Sequence, residues 1–367
     1  MHKMTKSLLL LVLSLSLVFP GISLAAEQPD TLSLERAIDR ALTFSSQIKI
    51  DQTEIDKQEY LVKRSQNAVT YTPTDINFNP NEQSALSSHM QNQFNLRKSE
   101  KKLEADKRQV VLDAKTAYYG VLKAQKSLEV SRLSYQVAQL TLLQAESKYK
   151  VGLINNADLL VAQSKVAADK AGMVKSQNEL DDAYATLNKL INVDITARPQ
   201  LIDQIEIEKV DFDPYSKANI AAENSYDTWT AEEAARVADR VKIFATYYDV
   251  ADDEVAQAQE TAKDARELIR KQTRALVNGL NTLNSNYEEL LKKQSELQEK
   301  LKVARAQESV GMATRDVVQS VELAVAQTEA ALIEAASQYN ITADTVRKLT
   351  GELAVKSNII KTTPTYK

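Results

Sequence analysis

The sequence predicts an all-α protein built from long antiparallel helical hairpins that pack like coiled coils. Three observations indicate this fold. Helix breakers are scarce, with 7 glycines and 7 prolines in 367 residues, whereas good helix formers such as Ala, Leu, Glu, Lys and Gln are abundant. Apolar residues recur at the spacing of a coiled-coil seam, and the chain contains an internal repeat of 159 residues, which is the separation of Gly152 from Gly311.

The first 26 residues have the pattern of a secretory signal peptide. Lys3 and Lys6 give a basic start, residues 8–18 form an apolar run, and Ser23 and Ala25 supply small residues near a cleavage site. The run is shorter than the roughly 20 residues of a transmembrane helix, although an N-terminal membrane anchor is the alternative. We therefore expect an exported protein of the cell envelope, whether periplasmic, outer-membrane-associated or on the cell surface, with no transmembrane segment in the mature chain.

The repeat keeps its register from Gly120 to Leu190 without a net insertion, which indicates two copies of one ancestral unit. The residue pairs related by 159 are Gly120 and Gly279, Val151 and Val310, Val166 and Val325, Ala167 and Ala326, Ala171 and Ala330, Lys189 and Lys348, and Leu190 and Leu349.

A seam with steps of four and three residues runs through each copy, which is the 3.5-residue period of a coiled coil. In the second copy it comprises Leu276, Leu280, Leu283, Tyr287, Leu290, Gln294, Leu297, Leu301 and Ala304. In the first copy it comprises Ala117, Val121, Ala124, Leu128, Ser131, Tyr135, Ala138, Leu142 and Ala145. The smaller residues of the first copy allow a neighbouring helix to approach closely.

Each copy is therefore predicted to hold one very long helix, over residues 92–150 and 252–309, of on the order of 90 Å. A turn follows at Gly152 or Gly311, because glycine adopts the left-handed conformation that ends a helix. A second helix of about 40 residues then returns. Asp158 and Asp316 lie near the start of the returning helices, where the helix dipole favours a carboxylate.

The predicted organisation has five parts. A signal peptide covers residues 1–26, a first hairpin repeat 27–193, an irregular linker 194–224, a second hairpin repeat 225–352 and a flexible tail 353–367. Ser33 is predicted to cap an opening helix in the first repeat. The sequence from Thr230 to Glu233 reads as a capping box that starts the corresponding helix in the second repeat.

Composition argues against an enzyme and against cofactors or metal ions. The chain has no cysteine, and after removal of the signal peptide a single histidine, His89, is left. Thiol chemistry, Cys/His zinc sites and histidine-dependent triads beyond a single site are therefore excluded. The carboxylates on long helices are best interpreted as solvated faces. A net charge of −4 gives no indication of a nucleic-acid partner.

Four segments, in the order in which they occur, resemble the TolC-type outer-membrane efflux protein family. They are LSLERAIDRAL, AYYGVLKAQKSLEV, ESKYKVGLINNADLLVAQSKV and ESVGMATRDVVQSVELAVAQ. The resemblance implies a homotrimer in which twelve helices close into a hollow α-barrel, a conduit for exported molecules. It also implies that the hairpin tips dock onto a membrane-fusion adaptor protein, which belongs to an inner-membrane transporter.

The resemblance carries over to particular residues at the two tips. Gly152, Leu153 and Ile154 match the first tip motif, and Gly311, Met312 and Ala313 match the second, so these residues are expected to contact the adaptor. The alternative is that they only pack the turn.

In the family, acidic residues just past the second glycine can constrict the tunnel. Asp316 falls there one residue nearer the glycine than usual, and Gln319 stands where a second acid can occur. Asp158, near the start of the first returning helix, is the third residue considered for such a constriction.

The two sites where family members insert membrane strands are short here. The first, TYTPTDINFNPNEQSALSSHM, contains two prolines, and only Ile76 and Phe78 alternate. The second, YYDVADDEVA, is acidic and too short, because a membrane strand needs about 9–11 residues with alternating apolar positions. The sequence therefore predicts a family member without a transmembrane β-barrel.

Two functions are compatible with these patterns. The first is a trimeric efflux or secretion conduit that works with an adaptor and a pump. The alternative is a non-enzymatic coiled-coil spacer or scaffold of the cell envelope without a lumen. The duplicated tip motif and the small-residue seam favour the conduit, because a spacer requires neither.

Overall fold

The computed structural model describes residues 31–69, 80–245 and 247–355. Within these ranges the chain is mostly helical, which confirms the predicted fold class. The elements are β1 (Thr31–Leu32), α1 (Leu34–Phe44), α2 (Ser46–Ala68), α3 (Pro80–Lys150), α4 (Asn156–Leu190), β2 (Gln200–Leu201), α5 (Pro214–Asn224), α6 (Tyr226–Lys242), α7 (Tyr248–Ser309) and α8 (Arg315–Thr350).

Two very long helices dominate the fold, as predicted. Helix α3 has 71 residues and α7 has 62, so they are about 105 and 95 Å long at 1.5 Å per residue. Both end at the predicted residues, Lys150 and Ser309. Both begin earlier than predicted, at Pro80 and Tyr248, because the first turns lack the apolar period on which the prediction rested.

The long helices of the two repeats lie in one layer, in the order α4, α3, α8, α7. Helix α2 packs along the first part of α3, and α6 packs along the first part of α7. Each long helix is therefore paired with two shorter helices, one towards each of its ends. Within the described part of one chain, α4 and α7 form the two edges of the layer.

Ion pairs join the two hairpins where α3 contacts α8. Lysines on α3 face acids on α8 in reverse order, as expected for antiparallel helices. The pairs are Lys115–Asp344 at 2.6 Å, Lys123–Glu334 at 2.5 Å and Lys126–Glu329 at 2.7 Å. Asp344 is buried and is also bonded by Arg347 at 2.9 Å, so its charge is compensated from both helices.

A buried tyrosine fixes the start of the chain to the linker at the middle of the molecule, here called the waist. Strands β1 and β2 pair in parallel beside α3. The Tyr118 hydroxyl lies 3.0 Å from the Leu32 carbonyl and 2.9 Å from Asp203 Oδ2, and the same oxygen of Asp203 accepts the Leu34 N–H at 2.6 Å. Tyr118 is fully buried, and this burial raises the pKa of its phenol.

After β2 the linker runs as an extended strap along the second hairpin. Asn340 on α8 accepts the Glu208 N–H at 3.0 Å and donates to the Glu206 carbonyl at 2.7 Å, and the Tyr339 hydroxyl accepts the Val210 N–H at 3.1 Å. Three apolar residues of the strap, Ile207, Val210 and Phe212, pack against the buried cluster of Leu280, Tyr339 and Ala343. The alternation LIDQIEIEKVDF thus marks a strap held by side chains of α8.

The predicted start of the second opening region is wrong. Thr230 lies inside α6, which begins at Tyr226 with Ser225 as its N-cap, and the Ser225 side chain accepts the Thr228 N–H. Ser45 caps α2 in the same way. The two caps are 180 residues apart, not 159, because the segment between the cap and the hairpin tip is shorter in the second repeat.

The described parts of the two short insertions are helical. Residues 80–90 form the start of α3, and Tyr248 begins α7. Residues 70–79, the predicted signal peptide and the tail beyond residue 355 lie outside the described residues. The described part of that tail includes Leu353, which is buried against Leu42, Ile48 and Val111. Of the helices that the structure describes, none is both long and apolar enough to cross a membrane.

Candidate docking surface at the hairpin tips

The first hairpin tip reverses direction through a glycine-ended helix terminus. Gly152 has a φ of 73°. Its N–H donates to the Tyr149 carbonyl at 3.0 Å, and the next N–H, of Leu153, donates to the Lys148 carbonyl at 2.9 Å. These two bonds define a Schellman motif, which satisfies carbonyls that the end of α3 leaves free.

The second tip repeats this geometry 159 residues later. Gly311 has a φ of 76°, its N–H donates to the Glu308 carbonyl at 3.0 Å, and the Met312 N–H donates to the Gln307 carbonyl at 2.8 Å. A Cβ added at Gly152 or Gly311 would meet no atom within 4 Å. Glycine is thus required at both tips for its backbone conformation and not for space.

Each tip exposes the large apolar residue that follows its glycine. Leu153 is 74% exposed and Met312 is 78% exposed, and the preceding valines, Val151 and Val310, are exposed as well. Ile154 and Ala313 are half-buried in their turns. Among the six predicted contact residues, Leu153 and Met312 therefore offer the most apolar surface to a partner.

The returning helices begin differently at the two tips. Asn155 caps α4, and its side chain accepts the Asp158 N–H at 2.9 Å. Thr314 precedes α8 without a side-chain cap bond. Asp158 therefore occupies the third helical position of α4 and is exposed, whereas Asp316 occupies the second position of α8 and is half-buried.

A groove of about 380 Å³ separates the tip ends of the two hairpins. Its walls come from the end of α3, including Leu143 and Gln144, and from the start of α8, including Arg315 and Asp316. The Thr314 hydroxyl, and after it the Gln144 amide, lower the pKa of Asp316, so this carboxyl is charged at neutral pH. Its Oδ1 atom is nevertheless buried without a hydrogen-bond partner.

The structure brings together only some of the residues predicted to constrict a tunnel. Asp316 lines the groove, and the Gln319 carbonyl oxygen, one helical turn further along α8, is also buried without a partner. Asp158 does not line this groove.

Sequence reasoning missed the α3 wall of the groove. The residues of α3 that lie opposite the second tip are Leu140, Leu143 and Gln144. No sequence pattern within α3 indicates this contact. The α3–α8 ion pairs were missed for the same reason, although the run of lysines on α3 was visible in the sequence.

Neither a metal site nor a catalytic constellation is apparent at the tips. In the part of the chain that the structure describes, no group of three or more His, Asp or Glu side chains is arranged to hold a metal ion. The surface consists of exposed apolar side chains, helix ends and one groove, an arrangement suited to binding another protein.

Sequence comparison identifies one family. Residues 83–193, which include most of α3 and all of α4, match the outer membrane efflux protein family. No curated protein sequence matches the chain.

Solved structures of outer membrane channels share the fold at low sequence identity. The Campylobacter jejuni CmeC outer membrane channel is 10% identical, with a TM-score of 0.63, over 87% of this chain and 86% of that chain. The Vibrio cholerae outer membrane protein VceC is 13% identical, with a TM-score of 0.59, over 88% and 97%.

The Neisseria gonorrhoeae MtrE outer membrane channel, in its open state, is 13% identical, with a TM-score of 0.59, over 87% and 89%. The resemblance to the TolC-type outer-membrane efflux protein family is therefore confirmed, by sequence over residues 83–193 and by fold over most of the chain.

Proposed function

We propose that three copies of this chain form a helical conduit for export from the cell, and that the hairpin tips dock onto a membrane-fusion adaptor of an inner-membrane transporter. The observation that carries this proposal is the pair of tips. Two turns with the same hydrogen bonds each present an exposed Leu or Met, and both lie at the same end of the layer of helices. A coiled-coil spacer without a lumen would not require two such exposed tips.

The edges of the helical layer support assembly into a closed wall. Helix α4 exposes Leu160, Val161 and Val174, and α7 exposes Leu268, Leu291 and Val303. Such residues on long edge helices are suited to pairing α7 of one copy with α4 of the next. Three copies of a four-helix layer then close a ring of twelve helices, with no edge left unpaired.

The groove at the tips supports the proposed constriction. Asp316 and Gln319 carry buried oxygens that lack donors in a single chain. Asp316 also contributes its carboxylate, whose pKa is lowered, to the wall of the groove, where it would narrow a tunnel shared with neighbouring copies. Asp158 is exposed on the edge helix α4, and in the proposed trimer it faces a neighbouring copy.

The proposed organisation includes the processing of the chain. Residues 1–26 are removed on export, the two hairpin repeats form the wall, and the linker joins them at the waist. The protein then acts in the cell envelope as a conduit, without catalysis of its own.

The conduit and the spacer are distinguished by imaging. The chain expressed from Glu27 without detergent is purified and examined by electron microscopy with class averaging. The expected result is a hollow cylinder with three-fold symmetry and a length of roughly 100 Å, set by α3 and α7. Solid rods or single chains would contradict the conduit and favour the coiled-coil spacer.

Docking through the tips is tested in the native host after deletion of the gene. The wild-type gene, a Leu153→Ser/Met312→Ser variant and a matched Ile195→Ser/Ile202→Ser variant, whose side chains are exposed on the linker, are compared for retention of a fluorescent efflux dye. The tip variant is expected to assemble normally and to leave the dye inside the cells. Normal efflux by an assembled tip variant would contradict docking through these residues.

A further inference from the structure

The two hairpin tips share one backbone geometry but differ in chemistry at the residue after the glycine. Leu153 occupies this position at the first tip and Met312 at the second, and both side chains are exposed. A leucine side chain has no atom that peroxides attack, whereas the thioether sulfur of methionine is oxidised to a sulfoxide. The two tips therefore form a pair in which one exposed side chain is inert and the other is oxidisable.

Met312 is the most accessible sulfur that the structure describes. The sequence has no cysteine, and two of its five methionines, Met1 and Met4, belong to the predicted signal peptide. Of the other three, Met90 on α3 and Met173 on α4 are half-buried, whereas Met312 is 78% exposed. Because oxidation of sulfur side chains follows their exposure, an oxidant that reaches the protein is expected to act first at the second tip.

The backbone of the second tip holds Met312 in place independently of its side chain. Gly311 has a positive φ, and the Gln307 carbonyl accepts the N–H groups of Met312 at 2.8 Å and of Ala313 at 3.2 Å. The thioether takes no part in either hydrogen bond. Oxidation of the sulfur is therefore expected to change the chemistry of the exposed surface and to leave the turn intact.

We propose that Met312 is a site of oxidation by peroxides, and that its sulfoxide weakens the contact of the second tip with a protein partner. This inference rests on the proposed docking function, because it concerns the same surface. With hydrogen peroxide, the sulfur lone pair forms the S–O bond while the O–O bond breaks. The second oxygen takes up the proton of the transferred oxygen and leaves as water. The sulfur loses two electrons, and the peroxide gains them.

The sulfoxide changes what the second tip offers to a partner. An exposed methionine contributes apolar area and adapts to irregular surfaces, whereas the S=O group would lose its water on docking without a matched donor. Only one tip of each copy is changed, because Leu153 does not react. The loss of docking is therefore expected to be partial, and smaller than the loss that follows removal of both side chains.

The site itself is tested by peptide mapping of the chain expressed from Glu27 and treated with hydrogen peroxide. Mass spectrometry of proteolytic fragments follows sulfoxide formation at each methionine over time. In the folded chain, Met312 is expected to react several-fold faster than Met90 and Met173. In urea, which removes the difference in exposure, the three rates should converge. Equal rates in the folded chain would overturn the assignment of the site.

The effect on docking is tested by dye retention in the host that lacks the gene. Met312→Gln, whose amide imitates the polarity of the sulfoxide, is expected to retain several-fold more dye than the wild type, but less than Leu153→Ser/Met312→Ser. The matched control is Ile195→Gln, which changes an exposed apolar side chain of the linker and is expected to export dye like the wild type. Wild-type export by Met312→Gln, or an equal loss in Ile195→Gln, would overturn the proposed effect of the sulfoxide.

Brief peroxide treatment of the same cells links the two results, with each strain compared with its own untreated level. Wild type is expected to lose part of its efflux, and Met312→Leu is expected to keep the level that it had before treatment. An equal relative loss in both strains would overturn the inference.

Failure of docking gives a different pattern. Normal efflux by Leu153→Ser/Met312→Ser would refute docking through the tips, and with it the effect assigned to the sulfoxide. The assignment of Met312 as the oxidation site would still be decided by the peptide map alone.

Discussion

The waist and the hairpin tips use their residues in opposite ways. At the waist, the Tyr118 hydroxyl, the Asp203 carboxylate and the Leu34 N–H form one connected set of hydrogen bonds beside the buried ring of Tyr118. At the tips, backbone bonds close each turn, but the side chains that follow the glycines point into solvent. The waist therefore holds the fold together, and the tips are left free for a partner.

The contrast is tested most strongly by removing the tyrosine ring at the waist. Tyr118→Ala leaves a cavity in the cluster that also contains Leu32 and Leu187, and it is expected to lower the free energy of unfolding by about 3–5 kcal/mol. Urea unfolding at fixed protein concentration measures the change. A loss below about 1 kcal/mol would mean that the strap and the strands are held from elsewhere.

The pH dependence of stability gives a second test of the role of Tyr118 at the waist. Burial raises the pKa of Tyr118 above 10 in the folded state. Its contribution to the free energy of unfolding is therefore complete below pH 10. The contribution declines at higher pH, because Tyr118 ionises first in the unfolded chain. Wild type is expected to lose about 1.4 kcal/mol per pH unit more than Tyr118→Phe above pH 10.

Urea unfolding of both proteins between pH 9 and pH 11 measures this difference. The phenylalanine variant retains every other tyrosine, so the comparison isolates one phenol. Equal slopes would show that the Tyr118 hydroxyl ionises in the folded state as easily as in water, in contradiction to its burial.

Features of the fold that depend on local or periodic sequence patterns could be predicted from the sequence. The ends of the long helices at Lys150 and Ser309 could be predicted because a glycine with two following apolar residues marks a helix reversal in both repeats. The resemblance to a family could be predicted because four motifs occur in the expected order. These features depend on neighbours within one or two helical turns.

What could not be predicted depends on contacts between distant segments. The Thr230 capping box is a valid local signal, but α6 begins at Tyr226 because Ser225, which directly follows α5, caps it. The weak correspondence of Ser45 with Ser225 at an offset of 180 was the signal that could have found it. Likewise, the bond between Tyr118 and Asp203 joins residues 85 positions apart, and no periodic pattern marks either residue.

The glycines provide a sharper comparison between the tips and the helices. Gly152→Ala or Gly311→Ala forces a side chain into the left-handed region and is expected to cost about 1 kcal/mol. Gly172→Ala, inside α4 with no atom within 4 Å of the added Cβ, is expected to stabilise by up to about 1 kcal/mol. Chemical denaturation of the three variants gives the sign of each change. A loss at Gly172 as large as at the tips would refute the conformational explanation.

The smallest effect on stability is expected where the largest effect on function is proposed. Leu153→Ser/Met312→Ser removes side chains that touch little in a single chain, so the urea midpoint should correspond to a change within about 0.5 kcal/mol. A matched Leu187→Ser variant, which places a hydroxyl in the waist core, should cost several-fold more. A tip variant as unstable as Leu187→Ser would show that the tip residues pack their own turns. The free tips would then no longer contrast with the waist.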